Sequence, residues 1–274
     1  MKFGQLVVGP AGSGKSTYCH AMQQHIRAGG RNCFVINLDP AAETFKYECA
    51  LDVRELISVD DVQEDEELVL GPNGALVFCM EYLVNNLDWL NTELDAGDDD
   101  YFLFDCPGHL PVMPKIVDAL KQWDYNICCC FLLDTHFVLD GNKFIAGALT
   151  TLATMVSLEV PAVNILTKQD LLSDRNKELV ETFLENSATS IIQDEEYTKW
   201  DQKHKKLTEA IGSVLEDYSL VKFQPLNIQD EESIADLLIV INNSIQYGED
   251  LEVKDNYPDE MDEYQGEAEN IFDL

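Results

Sequence analysis

Only eight residues precede the segment Gly9-Pro10-Ala11-Gly12-Ser13-Gly14-Lys15-Ser16-Thr17, which directly follows the apolar run Phe3 to Val8. It satisfies the phosphate-loop pattern G-x-x-x-x-G-K-[ST] at every fixed position. The motif works only between a strand and a helix, so it fixes the chain's opening as a β-loop-α unit. Glycines let the backbone curl until its N–H groups face phosphate oxygens, and the helix start adds its positive dipole end. Lys15 then neutralises phosphate charge and Ser16 offers a hydroxyl to a divalent cation. Gly12, Ser13, Gly14, Lys15, Ser16 and Thr17 are therefore candidate nucleotide-binding residues, with Ser16 also a metal ligand. A glycine-rich turn with no ligand is the competing reading, and the apolar strand and helical pattern on either side argue against it.

The rest of the chain repeats this alternation. Short apolar runs at 3–8, 33–38, 101–104, 127–133, 162–166 and 220–223 read as buried parallel strands. Between them, 16–28, 75–94, 114–123, 143–158, 203–218 and 233–247 carry apolar residues at helical spacing. The pattern predicts an α/β fold: a doubly wound, mostly parallel sheet with helices on both faces. A polar stretch at about 173–202 reads as a helical insertion within one domain spanning 1–250, and 251–274 as an acidic, disordered tail.

The formal charge of −33 would repel nucleic acid and anionic membrane, so neither is expected as a partner, and basic protein surfaces are. Eight cysteines form no C-x-x-C pair, and Cys128, Cys129 and Cys130 are consecutive in an apolar run. They read as reduced core thiols of a cytosolic or nuclear protein. The acidic runs 60–67 and 98–100 lack metal-ligand spacing and read as solvated surface.

Ligands of an open parallel sheet bind at the carboxyl ends of its strands, where several polar groups fall. Asp105 closes the run Phe102-Leu103-Phe104, where nucleotide hydrolases hold the cation or its water, and Gly108 follows where a bare N–H could meet the γ-phosphate. A helix N-cap is the alternative role for Asp105. Asp39, in Asn37-Leu38-Asp39-Pro40, could touch Mg²⁺, orient the attacking water or serve only the turn. Thr167-Lys168-Gln169-Asp170 fits the guanine-reading pattern [NT]-K-x-D. A carboxylate at Asp170 would accept from guanine N1–H and N2–H₂, whereas adenine offers another acceptor there, a mismatch on the order of a thousandfold. Gly71-Pro72-Asn73-Gly74 is, on local physics, a tight turn.

Taken together, the loop at Gly9, Asn37 to Glu43, Gly71-Pro72-Asn73, Asp105 to Gly108 and Thr167 to Asp170 resemble the GPN-loop GTPases, and Asp52 to Ile57, Gly71 to Tyr82 and Tyr247 to Leu251 are similar to the third eukaryotic paralogue. The resemblance implies a fold of the signal-recognition-particle and MinD-like class, GTP/GDP and Mg²⁺ as ligands, and GTP hydrolysis. It also implies pairing with the first paralogue, with a homodimer as the alternative, and a role with RNA polymerase II subunits in assembly and nuclear import. A cytoplasmic protein shuttling to the nucleus follows from that role. By the same resemblance Asn73 would act across the dimer; it joins Asp39, and His109, which stands where other GTPases place a water-orienting residue, in the candidate catalytic set. One departure stands out: relatives insert a stretch beginning Gln-Ile-Glu where His109-Leu110-Pro111 here follows Gly108 at once. Binding is expected to survive the deletion and hydrolysis to be slow or absent. A GTP-bound scaffold that does not hydrolyse and an ATP-dependent kinase are the rival readings.

Overall fold

The computed structural model describes residues 2–94, 100–108, 112–185, 210–211 and 221–248. Seven strands, β1 (Lys2–Val8), β2 (Cys33–Asn37), β3 (Cys49–Asp52), β4 (Tyr101–Asp105), β5 (Tyr125–Asp134), β6 (Ala162–Thr167) and β7 (Phe223–Pro225), form one sheet. Its order is β3-β2-β4-β1-β5-β6-β7, and every neighbouring pair is parallel. The helices are α1 (Lys15–Ala28), α2 (Val59–Glu64), α3 (Pro72–Asn85), α4 (Leu87–Glu93), α5 (Met113–Gln122), α6 (Gly141–Leu158), α7 (Asp174–Glu185) and α8 (Glu231–Ser244).

Alternation along the central strands builds two cores. Leu6, Phe102, Phe104, Ile127, Cys129 and Phe131 face one side, against Met80 of α3, Ile116 of α5 and Ile145 of α6. Val7, Tyr101, Leu103, Cys128, Cys130 and Leu132 face the other, against Tyr18 and Met22 of α1 and Leu237 and Ile241 of α8. Strands buried on both faces must be apolar at every position, which is why β4 and β5 read as continuous runs. The three consecutive cysteines are small hydrophobes split between the two cores, each fully buried.

Several local expectations are corrected. β3 pairs only with β2 at the sheet edge, and its four residues include one buried side chain, Leu51, too weak a pattern to read. The helix expected over 75–94 is two, because Asn86 (φ −123°, ψ 37°) leaves helical geometry between α3 and α4. Its start also lies earlier: Gly71 is the N-cap and Pro72 the first helical residue, so the Gly71-Pro72-Asn73-Gly74 segment is a helix's opening turn. β7 begins at Phe223, later than the 220–223 run suggests. The acidic run after Ser58 opens α2 through a capping box between Ser58 and Asp61. Of the stretch 173–202, residues 173–185 are described, with α7 over Asp174–Glu185, and 186–202 lie outside the described residues, as does the tail at 251–274. Among the described residues no helix is long and apolar enough to cross a membrane.

Candidate functional site

β1 lies between β4 and β5, so its C-terminal loop emerges at the crevice where the sheet's connections diverge. The loop from Gly9 to Gly14 turns tightly, with Ser13 N–H donating to Pro10 O at 3.2 Å. Gly14 (φ 94°) is the N-cap of α1, and Tyr18 N–H closes the first helical turn on Gly14 O at 2.9 Å. Gly9 (φ 149°) admits no side chain, since a Cβ there would lie 2.3 Å from Leu132 O. Lys15 Nζ donates to Gly9 O at 3.1 Å and Pro10 O at 3.2 Å, so the ammonium is held within the loop. Ser16 and Thr17 are exposed on the first turn of α1, whereas Ser13 is buried and its hydroxyl has no partner.

Parallel pairing of β4 with β1 sets Asp105 opposite Val7, and Cys106 N–H donates to Val7 O at 3.2 Å. Asp105 is thereby carried to the loop's flank while almost fully buried. Its carboxylate accepts from Ser16 and, at 3.0 Å, from the Tyr47 hydroxyl. Burial pushes its pKa above the ordinary carboxylate value, against those two hydrogen bonds and the Lys15 charge, and the neighbouring Asp39 pushes the same way. Asp105 is no helix N-cap: α5 begins at Met113, with Val112 as its N-cap. Asp39 is tied to Asn37, whose Oδ1 accepts from Asp39 N–H, and its own Oδ1 accepts from Ala41 N–H, the geometry of an Asx turn. Gly108 approaches the phosphate loop so closely that a Cβ would lie 3.1 Å from Ala11 N.

On the far side, β6 delivers Thr167 to the phosphate loop itself. Its hydroxyl donates to Ser13 O at 2.7 Å, with Leu133 O at 3.3 Å, and the Thr135 hydroxyl donates to Thr167 O. Thr167 thus acts on the loop's backbone. Lys168 (φ 63°) turns the chain, and its Nζ pairs with Asp134 Oδ2 at 2.9 Å. Burial would raise the Asp134 pKa, but Lys168 and His136 more than offset it and hold the carboxyl below its usual range. Asp170 follows in a short 3₁₀ turn (Gln169–Leu171), half-buried.

The phosphate loop, Asp39, Asp105, Gly108 and Thr167 therefore gather around one crevice, with Lys168 and Asp170 leading away from Thr167. Asn73 is exposed on the opening turn of α3. His109 lies outside the described residues. Two residues went unread in the sequence. Asp134 ends β5 as an acid after an apolar run, the same signal that marks Asp105. Tyr47 stands in an irregular segment with no local pattern.

Comparison with known proteins agrees with this geometry. A family model described as "Conserved hypothetical ATP binding protein" matches residues 7–247. GPN-loop GTPase 3 of Danio rerio is 51% identical over 268 residues, covering 96% of this chain and 93% of that protein. The chain belongs to the GPN-loop GTPase family. GPN-loop GTPase 3 of Dictyostelium discoideum is 50% identical, with 92% and 90% covered, and that of Saccharomyces cerevisiae 41%, with 93% and 96% covered. The crystal structure of a GTPase in apo form from Pyrococcus abyssi superposes with a TM-score of 0.72, covering 88% of this chain and 97% of that one. At 22% identity it shows a shared fold, the doubly wound α/β sheet. Family membership gives Gly71-Pro72-Asn73 its interest, which local geometry alone would not.

Proposed function

We propose that this chain binds GTP with Mg²⁺ and hydrolyses it slowly, working as one half of a GPN-loop GTPase dimer. The observation that carries the reading is the bond from Thr167 to Ser13 O, which fastens a guanine-type tetrapeptide directly to a phosphate loop. Asp170 would accept from the guanine edge, and the loop N–H groups with Lys15 would hold the β- and γ-phosphates.

The residues fit a hydrated divalent cation. Ser16 and Asp105 offer hard oxygen donors at one corner, and a carboxylate buried at raised pKa gains from a cation beside it. The unpartnered Ser13 hydroxyl and the cradle at Gly108 likewise suit a phosphate group. When bound, the cation would neutralise charge developing on the phosphates. Asp39 would orient water from its Asx turn, and His109 stands in sequence where other GTPases place a water-positioning group.

Dimer formation is supported by exposed apolar side chains before and along the helix that the Gly-Pro-Asn turn opens: Val69 is 82% exposed, Val77 41% and Tyr82 40%. Asn73 would then reach a partner's nucleotide, tying dimer geometry to nucleotide state. Through its family the chain is read as an assembly factor pairing with the first paralogue, acting with RNA polymerase II and shuttling between cytoplasm and nucleus.

The test measures binding of GTP and ATP, then single-turnover hydrolysis, with and without the Gln-Ile-Glu stretch restored after Gly108. GTP should be preferred by on the order of a thousandfold, with faster turnover in the restored protein. Equal affinity for ATP would overturn the guanine reading, and unaccelerated turnover with the dimer partner present would acquit the deletion.

A further inference from the structure

The segment between β2 and β3 is fastened at both ends and reaches the Asp105 carboxylate of the candidate metal corner through Tyr47. At its far end Glu48 is clamped to α1: Gln23 Nε2 donates to Glu48 O at 2.8 Å and Glu48 N–H returns to Gln23 Oε1 at 3.0 Å. Arg27 pairs with the Glu48 carboxylate. At its near end Asn37 holds Asp39 and donates to Asp52 Oδ1 at 2.8 Å.

Arg54 closes the segment into a unit. Its guanidinium grips Asp52, donates to Ala42 O at 2.7 Å and Glu43 O at 3.2 Å, and lies 4.9 Å from the centroid of the Phe45 ring. Phe45 stacks on Tyr47 at 4.7 Å with 5° between the planes. Tyr47, buried, ends this chain of contacts with its hydroxyl 3.0 Å from Asp105 Oδ2.

We propose that Tyr47 is a positioning residue of the metal corner. Its hydroxyl fixes the rotamer of Asp105, so that the other lone pairs face Ser16 and the cation, and it couples cation binding to the segment 40–48 that carries Asp39's turn. The inference rests on the nucleotide and Mg²⁺ reading above. Chemistry favours this role over a packing one. A ring stacked on Phe45 needs no hydroxyl, yet here the hydroxyl is spent on a carboxylate whose buried charge demands donors.

Tyr47→Phe keeps the ring and removes only that donor. In the full chain, a fluorescent non-hydrolysable GTP analogue would be titrated with Mg²⁺ and, separately, in EDTA. The half-saturating Mg²⁺ concentration should rise about tenfold in the variant while affinity in EDTA stays that of the parent. A variant that merely packs poorly would melt lower without moving the Mg²⁺ midpoint, and that result, or an unchanged midpoint in a stable variant, overturns the proposal. Amide exchange of wild type with the analogue bound adds a measurement independent of any variant: residues 41–48 should gain protection when Mg²⁺ is added, and equal exchange refutes the coupling. If wild type binds no analogue at all, the nucleotide reading itself fails, which its EDTA titration reveals directly.

Discussion

Replacing Thr167 with valine would separate a base-reading role from a loop-tying one. The side chain is 5% exposed, and valine reproduces its shape without the hydroxyl. That hydroxyl has one proton, given chiefly to Ser13 O at 2.7 Å, the longer approach to Leu133 O being 3.3 Å. In the variant the Ser13 carbonyl, in a residue only 2% exposed, loses a partner that water cannot easily replace. Leaving such an acceptor bare costs about 1–3 kcal/mol. For a domain of this size that is a fall in Tm of about 2–10 °C. Thr167→Ser, which keeps the donor, should stay close to the parent. The loop being tied holds phosphates common to every nucleotide, so GTP and ATP affinities should fall by the same factor in Thr167→Val and their ratio should hold. Calorimetric melting and competitive nucleotide titration read both effects. A valine variant that melts with the parent, or one that loses guanine preference while keeping phosphate affinity, would refute the assignment.

Asp170→Asn should weaken GTP about a hundredfold or more and gain xanthosine triphosphate, whose 2-oxo group accepts from the new amide; competition titrations read the exchange. Asp52 supplies a pH signature. Burial opposes its ionisation, but Arg54 and Asn37 outweigh it and hold its pKa below 3.8, so the stability it adds is complete above that value and lost as pH falls through the folded pKa. Melting curves from neutral pH down to about 3 should therefore converge for wild type and Asp52→Asn at the acid end and separate above it.

Much of the fold is legible because a doubly wound sheet writes itself in alternating runs. β4 and β5 are buried on both faces, which forces every position apolar, and the phosphate loop fixes where the first strand ends. What escaped reading depends on tertiary partners. β3 is visible only through its pairing with β2, and the break at Asn86 interrupts a pattern whose apolar spacing runs straight through it. The same division holds in the crevice. Asp105 and Asp170 are legible as candidates because their motifs mark a strand's last residue and the turn after a strand. Tyr47 is not, because its contact with Asp105 spans 58 residues and no local rule joins an irregular segment to a distant strand.

The fate of Lys168 bears on which base this site suits. Its ammonium is spent on Asp134 at 2.9 Å, and Asp134 in turn is steadied by His136 at 2.8 Å. Among the described residues Asp170 has no ion pair, although it lies only two residues away. Were Lys168 to fold onto Asp170, the carboxylate would be neutralised and its claim on a donor edge much reduced. Because Asp134 removes that option, Asp170 keeps unspent acceptor capacity, and a ligand must meet it with hydrogens. Guanine brings two of them on adjacent positions, whereas adenine brings a lone pair that the carboxylate would repel. The acid at the end of β5 would therefore contribute to base choice without touching the base, by holding the neighbouring Lys168 away from Asp170.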